Sequence, residues 1–437
     1  MTPEQRYATL PRMIDIKQIR ENPQKFAAAS KAKKFNVDID RLIEVDAKLR
    51  YSRAMLQNIA TDKNRIGKSI STLSGDKKDS ALLTLSDLKD GEIGLQKEVK
   101  ELQPEFDALM QQVAQPADDD VPLGEDDTEN VEIRKEGEIR QFDFEPKDHL
   151  QLGLELGIID IERGVKLAGA RNYFLKGDGA LLHWAVLRFA MDLMIGKGFV
   201  PLSVPLLMKD EAMRGTGYYP GSEDQTYRVE KDHLNLVGTA EVPLTAYRMG
   251  EILSAEELPL KYAALSSCFR REAGAAGKDT YGLYRIHQFD KVEQVVICEN
   301  SAEASAKFHD EILGNAEAVM QALELPYRVA NVCTGDLGRG QAKKFDIEAW
   351  MPSRKNYCET HSASKFYEFQ SRRMNLRYKE PGTKKNVFCH TLNNTVIASP
   401  RVLIPILELY QNADGSVTVP NVLRPYMNGK EKIVKSS

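Results

Sequence analysis

The chain lacks most of the signatures that name a chemistry at sight. It has no CxxC pair. Its five cysteines, Cys268, Cys298, Cys333, Cys358 and Cys389, are scattered and odd in number. That usage fits a reducing compartment in which each thiol is a small core residue. Neither charge dominates: 60 basic residues meet 64 acidic ones, for a net charge of -4. Such a balance excludes no partner, because a nucleic-acid site can be a local patch on a neutral protein. No apolar run spans a membrane. The most apolar long stretch, from Leu181 to Phe199, is interrupted by His183, Arg188, Asp192 and Lys197. The start, MTPEQRYATLPR, has no apolar core and is not a secretory signal, so a cytoplasmic location is expected. Neither GxxxxGK[ST] nor a strand-borne GxGxxG occurs, so a bound ATP must be held by another route. A Ser/His/Asp or Cys/His nucleophile motif is missing as well.

What is present begins with heptads. At 437 residues the chain has room for two to three domains. After an N-terminal extension (1–12), a short helical element runs from Met13 to about Phe35, broken at Asn22-Pro23. Leu42, Leu49, Leu56 and Ile70 then form one series, and Val45, Ile59, Ile66 and Leu73 a second. Beyond a polar turn at 74–80, Leu85, Val99, Phe106 and Val113 run beside Leu88, Leu95, Leu102 and Leu109. Two such seams predict an antiparallel coiled-coil arm, roughly 45 Å long, with Pro104 kinking the second helix or starting a fresh one. The arm domain is placed at 13–117. Its outer face carries Lys48, Arg50, Arg53, Lys63, Arg65 and Lys68. These are either an ordinary charged exterior or a contact to an RNA backbone.

The proline- and acid-rich stretch 118–130 reads as a linker. From Val131 to the end, strand–strand neighbours outnumber strand–helix–strand units. The expected fold class is therefore α+β, an antiparallel sheet flanked by helices. NVEIRKEGEIRQFDF alternates like a strand pair, and 179–198 is an amphipathic helix with Asp178 as its cap.

The richest stretch is Phe269–Glu293, FRREAGAAGKDTYGLYRIHQFDKVE. It reads as a hairpin with a glycine-bearing tip. Period-two alternation puts Arg285, His287, Phe289, Lys291 and Glu293 on one face, and Arg270 and Glu272 on one face of the first strand. Arginine forks match phosphate and carboxylate oxygens, and an aromatic face stacks a base. A solvated polar face is the competing explanation.

Taken in order, these segments resemble a seryl-tRNA synthetase of the common type without zinc in the serine pocket. FRREAG…RIHQFDKVE is similar to motif 2 of the class II enzymes, NNTVIASPRVLIPILE to motif 3, the helix 179–198 with its proline-bearing strand to motif 1, and GTAEVPL to the family's TAE loop. The resemblance implies a ligase that activates L-serine with ATP and loads serine tRNA, with selenocysteine tRNA as a further acceptor found in the family. It implies catalytic roles for Arg270, Arg401 and Glu359. ATP would be held by Arg270, Arg271, Glu272, Phe289, Glu359, Thr360, His361, Ser362 and Arg401, with Mg2+ on Glu359 and Ser362. Serine would be held by Thr239, Ala240, Glu241, Arg285, Glu293 and Thr395. Arg50, Arg53, Lys63, Arg65, Lys68 and, at the hairpin tip, Lys278 would meet tRNA. A homodimer is also implied. His361 falls where many members carry a hydroxyl, and Ser399-Pro400 where glycine often stands. An inactive RNA-binding paralogue is the alternative, but it would be expected to lose Arg270, Glu293, Glu359 or Arg401, and all four are here.

Overall fold

The computed structural model describes residues 14–435 except Ala276 and Lys278; the 1–12 extension and the expected RNA contact Lys278 lie outside the described residues. The chain divides into two compact units, Met1–Pro116 and Ala117–Ser437.

The first unit is helical. Helices α1 (Ile16–Glu21) and α2 (Pro23–Ala32) part at Asn22-Pro23, where the Asn22 side chain accepts from Lys25 N–H. The long pair is α3 (Ile39–Ser69) and α4 (Asp76–Gln112). At 1.5 Å per residue, the 31 residues of α3 reach about 46 Å. Leu42, Val45, Leu49 and Ile59 are buried in the seam. Ser52 fills the gap in the second series, and its Oγ donates to Glu98 Oε2 at 2.7 Å. Two details differ from expectation. Pro104 lies inside α4 and starts no new helix. The turn is also shorter than 74–80, because Gly75 at φ +54° lets α4 begin at Asp76.

The second unit is built on one sheet of eight strands. These are β1 (Val131–Glu136), β2 (Val200–Pro201), β3 (Leu260–Phe269), β4 (Gln288–Cys298), β5 (Tyr327–Asn331), β6 (Lys343–Met351), β7 (Asn356–Tyr367) and β8 (His390–Ser399). Their order is β1-β5-β6-β7-β8-β4-β3-β2. Every pairing is antiparallel except that of the two-residue edge strand β2 with β3. The associated helices are α5 (His149–Glu155), α6 (Asp178–Gly196), α7 (Glu241–Ala246), α8 (Ala302–Ala322), α9 (Phe369–Met374) and α10 (Leu403–Leu409). One core joins Leu182, Val186, Ala190 and Met194 of α6 and Ile312 and Val319 of α8 to Val292, Val296, Ile347 and Leu392 of the sheet. A second gathers Leu244, Tyr262, Val295, Ile297 and Leu376. Helix α6 is long and apolar enough to cross a membrane, yet its inward residues are spent on this core.

Three sequence expectations change here. NVEIRKEGEIRQFDF yields one strand rather than two, since β1 finds its partner in β5. Asp178 is the first residue of α6 rather than its cap, and its carboxylate takes Lys430 Nζ at 2.5 Å. The stretch 118–130 is stitched to the second unit rather than trailing. Asp118 N–H donates to Ala342 O at 2.9 Å, Thr334 N–H to Pro122 O at 2.9 Å, and the Asp118 carboxylate pairs with buried Lys365 at 2.5 Å. Acids that mimic a disordered linker are counter-ions for lysines of the second unit, Asp118 for the buried Lys365 and Asp120 for Lys343.

Candidate active site

Strands β3 and β4 form the expected hairpin, but strand geometry stops at Phe269 and resumes only at Gln288. Alternation therefore explains why Phe289, Lys291 and Glu293 share a face, and it does not place Arg285 or His287. Glu272 sits at φ +53°, outside any extended strand. The loop between is held at both limbs. Arg270 N–H donates to His287 O at 2.9 Å and Arg271 N–H to Gln225 O at 2.9 Å. Gln225 also exchanges two hydrogen bonds with the Ala273 backbone, at 3.1 and 2.8 Å. Arg171 binds Ala275 O at 2.7 Å and Arg285 O at 3.1 Å. On the return limb Leu283 N–H donates to His149 Nε2 at 3.2 Å, while His149 Nδ1 lies 2.8 Å from Glu408 of α10. Nε2 accepts, so Nδ1 carries the proton towards Glu408.

Above the sheet lies an open cleft of about 160 Å³. Arg270, Glu272, Arg285, Phe289 and Glu293 line it from the hairpin. Glu359, Thr360, His361 and Ser362 come from β7, and Thr395 and Arg401 from β8 and its exit. The Arg270 guanidinium lies 5.2 Å from the Phe289 ring centre. Arg401 is fixed by bonds from Nε to Tyr284 O at 3.2 Å and from Nη1 to Glu359 O at 3.0 Å. Its guanidinium stacks on Tyr284 at 4.4 Å, with Arg354 at 4.0 Å from the same ring.

Two β-bulges aim the oxygen groups. In a regular strand Glu359 and Ser362, three apart, would point to opposite faces. Between β6 and β7, Ile347 pairs with His361 and Glu348 with Glu359, leaving Thr360 as an extra residue. That bulge resets the alternation, and both Glu359 and Ser362 line the cleft. Likewise Val292 pairs with Ile397 and Glu293 with Thr395, leaving Val396 extra, and Thr395 Oγ1 lies 3.5 Å from Glu293 Oε2.

At the deep end, buried Lys291 donates to Thr239 Oγ1 at 2.6 Å and pairs with Glu293. Thr239 Oγ1 also accepts from Glu241 N–H at 3.1 Å. Thr239 and Ala240 are fully buried behind the wall, whereas Glu241 reaches the cleft. Glu241 accepts from Gln370 Nε2 at 2.7 Å and from Tyr218 OH at 3.0 Å. Burial, then the Glu293 charge, pushes its carboxyl up to about 7.

Glu359 differs. Its side chain remains exposed to the cleft; desolvation by the walls pushes its carboxyl up, but Arg401, Lys344, Arg270 and Arg285 outweigh that and hold it below the usual carboxylate range. His361 is buried, its Nδ1 2.8 Å from Thr360 Oγ1, and burial lowers its pKa to about 4. It lines the wall as a neutral ring.

Arg285 and Glu272 hold each other at 2.6 Å. Arg271 is exposed and lies outside the cleft lining, as does His287, whose Nδ1 meets Arg270 O at 2.9 Å. In the first unit, Arg50 pairs with Asp46 at 2.9 Å, Lys63 with Glu92 at 2.7 Å and Arg65 with Asp62 at 2.7 Å. Arg53 bonds Gln103, and Lys68 occupies the last turn of α3. Sequence reasoning missed Tyr218, Tyr284, Gln341, Ser364 and Asn393, all lining the cleft, and gave Lys291 no role. For Lys291 the signal was there, on the counted face; Tyr218 sits in a loop with no periodicity to read.

Comparison with known proteins follows the same division of the chain. Residues 13–115 match the family described as seryl-tRNA synthetase N-terminal domain, and residues 226–410 match the tRNA synthetase class II core domain (G, H, P, S and T). The chain is 43% identical over 419 residues to the serine–tRNA ligase of Deinococcus radiodurans, covering 96% of this chain and 98% of that one. A crystal structure of the seryl-tRNA synthetase of Pyrococcus horikoshii complexed with ATP superposes with a TM-score of 0.91 at 36% identity, covering 97% of this chain and all, 100%, of that one. The cytoplasmic serine–tRNA ligase of Naegleria fowleri in complex with AMP gives a TM-score of 0.86 at 31% identity, over 98% and 100% of the two chains.

Proposed function

The chain belongs to the seryl-tRNA synthetases, and from that premise we propose how its residues divide the work of a serine–tRNA ligase. The observation that carries the reading is convergence: three distant stretches bring Arg270, Phe289, Glu293, Glu359, Thr395 and Arg401 to one cleft.

In the first step a carboxylate oxygen of serine attacks the α-phosphorus of ATP in line. The bond to the leaving oxygen breaks, and pyrophosphate departs from seryl-adenylate. Such transfer needs positioning and charge neutralisation rather than a protein nucleophile. Arg270 holds the α-phosphate, Phe289 stacks on the adenine, and Arg401 closes from the other side. Glu272 takes the adenine amino group and Arg285 the serine carboxylate. Both therefore act only when their own ion pair opens. Glu293 takes the serine ammonium, and Thr239, Ala240, Glu241 and Thr395 close the pocket. In the second step a ribose hydroxyl at the 3′ end of serine tRNA attacks the acyl carbon, and AMP leaves.

The donor set also fits Mg2+. Glu359 is held ionised, Ser362 adds a hydroxyl, and both are hard oxygens on the cleft wall. Bound with ATP, the ion would neutralise phosphate charge there.

Arg50, Arg53, Lys63, Arg65 and Lys68 are assigned to the tRNA backbone. Arg50 and Arg65 are 54% and 76% exposed, and surface ion pairs of about 0–1 kcal/mol are readily exchanged for phosphate. Trp184, Ile195, Val200 and Leu265 are exposed apolar residues of α6, β2 and β3, supporting a homodimer in which a second copy covers them. Five free, buried cysteines suit the reducing cytoplasm. The test is Arg270→Ala, which should abolish serine-dependent ATP–pyrophosphate exchange in a folded protein. Full exchange in that variant would remove the assignment.

A further inference from the structure

Beneath the cleft, three hydrogen bonds tie together the parts on which the nucleotide site stands. His183, in the second turn of α6 and 7% exposed, lies between two strands. Its Nδ1 is 2.8 Å from Ser399 Oγ at the end of β8, and its Nε2 is 2.9 Å from Asp290 Oδ2 on β4. The other oxygen of Asp290 accepts from Ser267 Oγ at 2.5 Å. Asp290 and Ser399 are register partners, so the ring bridges two adjacent strands at one level.

The row Ser399–His183–Asp290 has the connectivity of a hydrolytic triad, an arrangement that no sequence motif announced. Its surroundings rule out that use. Ser399 is fully buried. Asp290 points away from the face on which its neighbours Phe289 and Lys291 line the cleft, and neither Asp290 nor His183 is part of that lining. Ser399 itself borders the cleft, but only as part of its wall: its side chain is fully buried and its hydroxyl is held by His183. What the row does is mechanical. Phe289 is adjacent to Asp290, and Arg401 follows Ser399 by two residues, so one imidazole fixes the spacing of both. Burial pushes the Asp290 carboxyl up, but the bonds from His183 and Ser267 outweigh it and keep it ionised. Nε2 of His183 is thus the donor to Asp290. On α6 the next residue, Trp184, is 61% exposed and faces away from this core.

We infer that His183 is a positioning residue for the nucleotide: by locking α6 to β4 and β8 it sets the separation of Phe289 and Arg401 across the base. The inference rests on the assignment of those two residues to adenine. Losing a buried hydrogen-bonded bridge is worth roughly threefold to tenfold in affinity. In pyrophosphate exchange, His183→Leu should therefore raise KM for ATP by about threefold to tenfold while KM for serine stays within about twofold. His183→Gln, whose amide offers a donor to Asp290 and an acceptor to Ser399, should restore the ATP value. Should His183→Leu fold poorly, Ser399→Ala cuts one bond of the row with little change in packing and should still raise KM for ATP. An unchanged ATP KM in His183→Leu overturns the inference. So does a parallel rise in both KM values that His183→Gln fails to rescue, which marks a purely structural role. Arg270→Ala in the same assay separates the two claims, since its normal activity would remove the nucleotide assignment itself.

Discussion

Replacing Glu241 by glutamine should change how stability depends on pH, and the structure sets the size. Glu241 is 8% exposed and held between Gln370 and Tyr218, with Glu293 near by. Its pKa rises from 4.5 in the unfolded chain to about 7 when folded. The folded state binds this proton more tightly, so the stabilisation is fully present below about pH 4.5 and is lost as pH rises through about 7. The difference, 7 minus 4.5, is 2.5 units, or about 3 kcal/mol at 1.36 kcal/mol per unit. Glutamine has the shape of the protonated acid and never ionises. Denaturant unfolding of the two proteins should therefore coincide below about pH 4.5 and diverge between about pH 4.5 and 7, with Glu241→Gln the more stable by about 3 kcal/mol from pH 7 to 8.5. Function should move the other way, because an ionised acceptor in the serine pocket is lost. KM for serine at pH 8 should rise by about tenfold or more. Stability curves that run parallel from pH 5 to 8.5 would refute the reasoning.

Two further outcomes follow from the fold. Removing residues 1–116, the whole first unit, should leave adenylate formation near its normal rate and eliminate tRNA charging; filter-binding and exchange assays on the same preparation check both. Gly282→Ala places a Cβ 2.1 Å from His149 Nε2 at φ +70°, which costs about 1–2 kcal/mol in backbone strain alone and distorts the loop's return limb. Aminoacylation should fall more than exchange, and adding His149→Ala should recover part of the loss by vacating the space. No recovery would show that the clamp is not what the alanine disturbs.

The sheet, the hairpin and the arm were legible because each rests on a period. Heptads give α3 and α4, and alternation gives the hairpin strands β3 and β4. Arg285 belongs to the cleft, yet period-two counting put it there for the wrong reason, since its backbone is loop. The pairing of Glu359 with Ser362 was implied by resemblance and contradicted by simple alternation. Only the bulge at Thr360 reconciles the two, and a bulge has no signature in a single strand's residues. Acid-rich 118–130 was misread in character because its partners, Lys343 and the buried Lys365, are more than 200 residues away in sequence. Tyr218, Gln370 and His183 were invisible for the same reason: their roles are set by what tertiary packing brings beside them.

The central claim is that this cleft activates serine and no other amino acid. Pyrophosphate exchange measured on the unmodified protein with each amino acid in turn tests it directly. Serine alone should support exchange above background, and alanine, which leaves buried polar groups unpaired, should be rejected by roughly four orders of magnitude or more. Exchange driven equally well by another amino acid, or none with serine, would contradict the account.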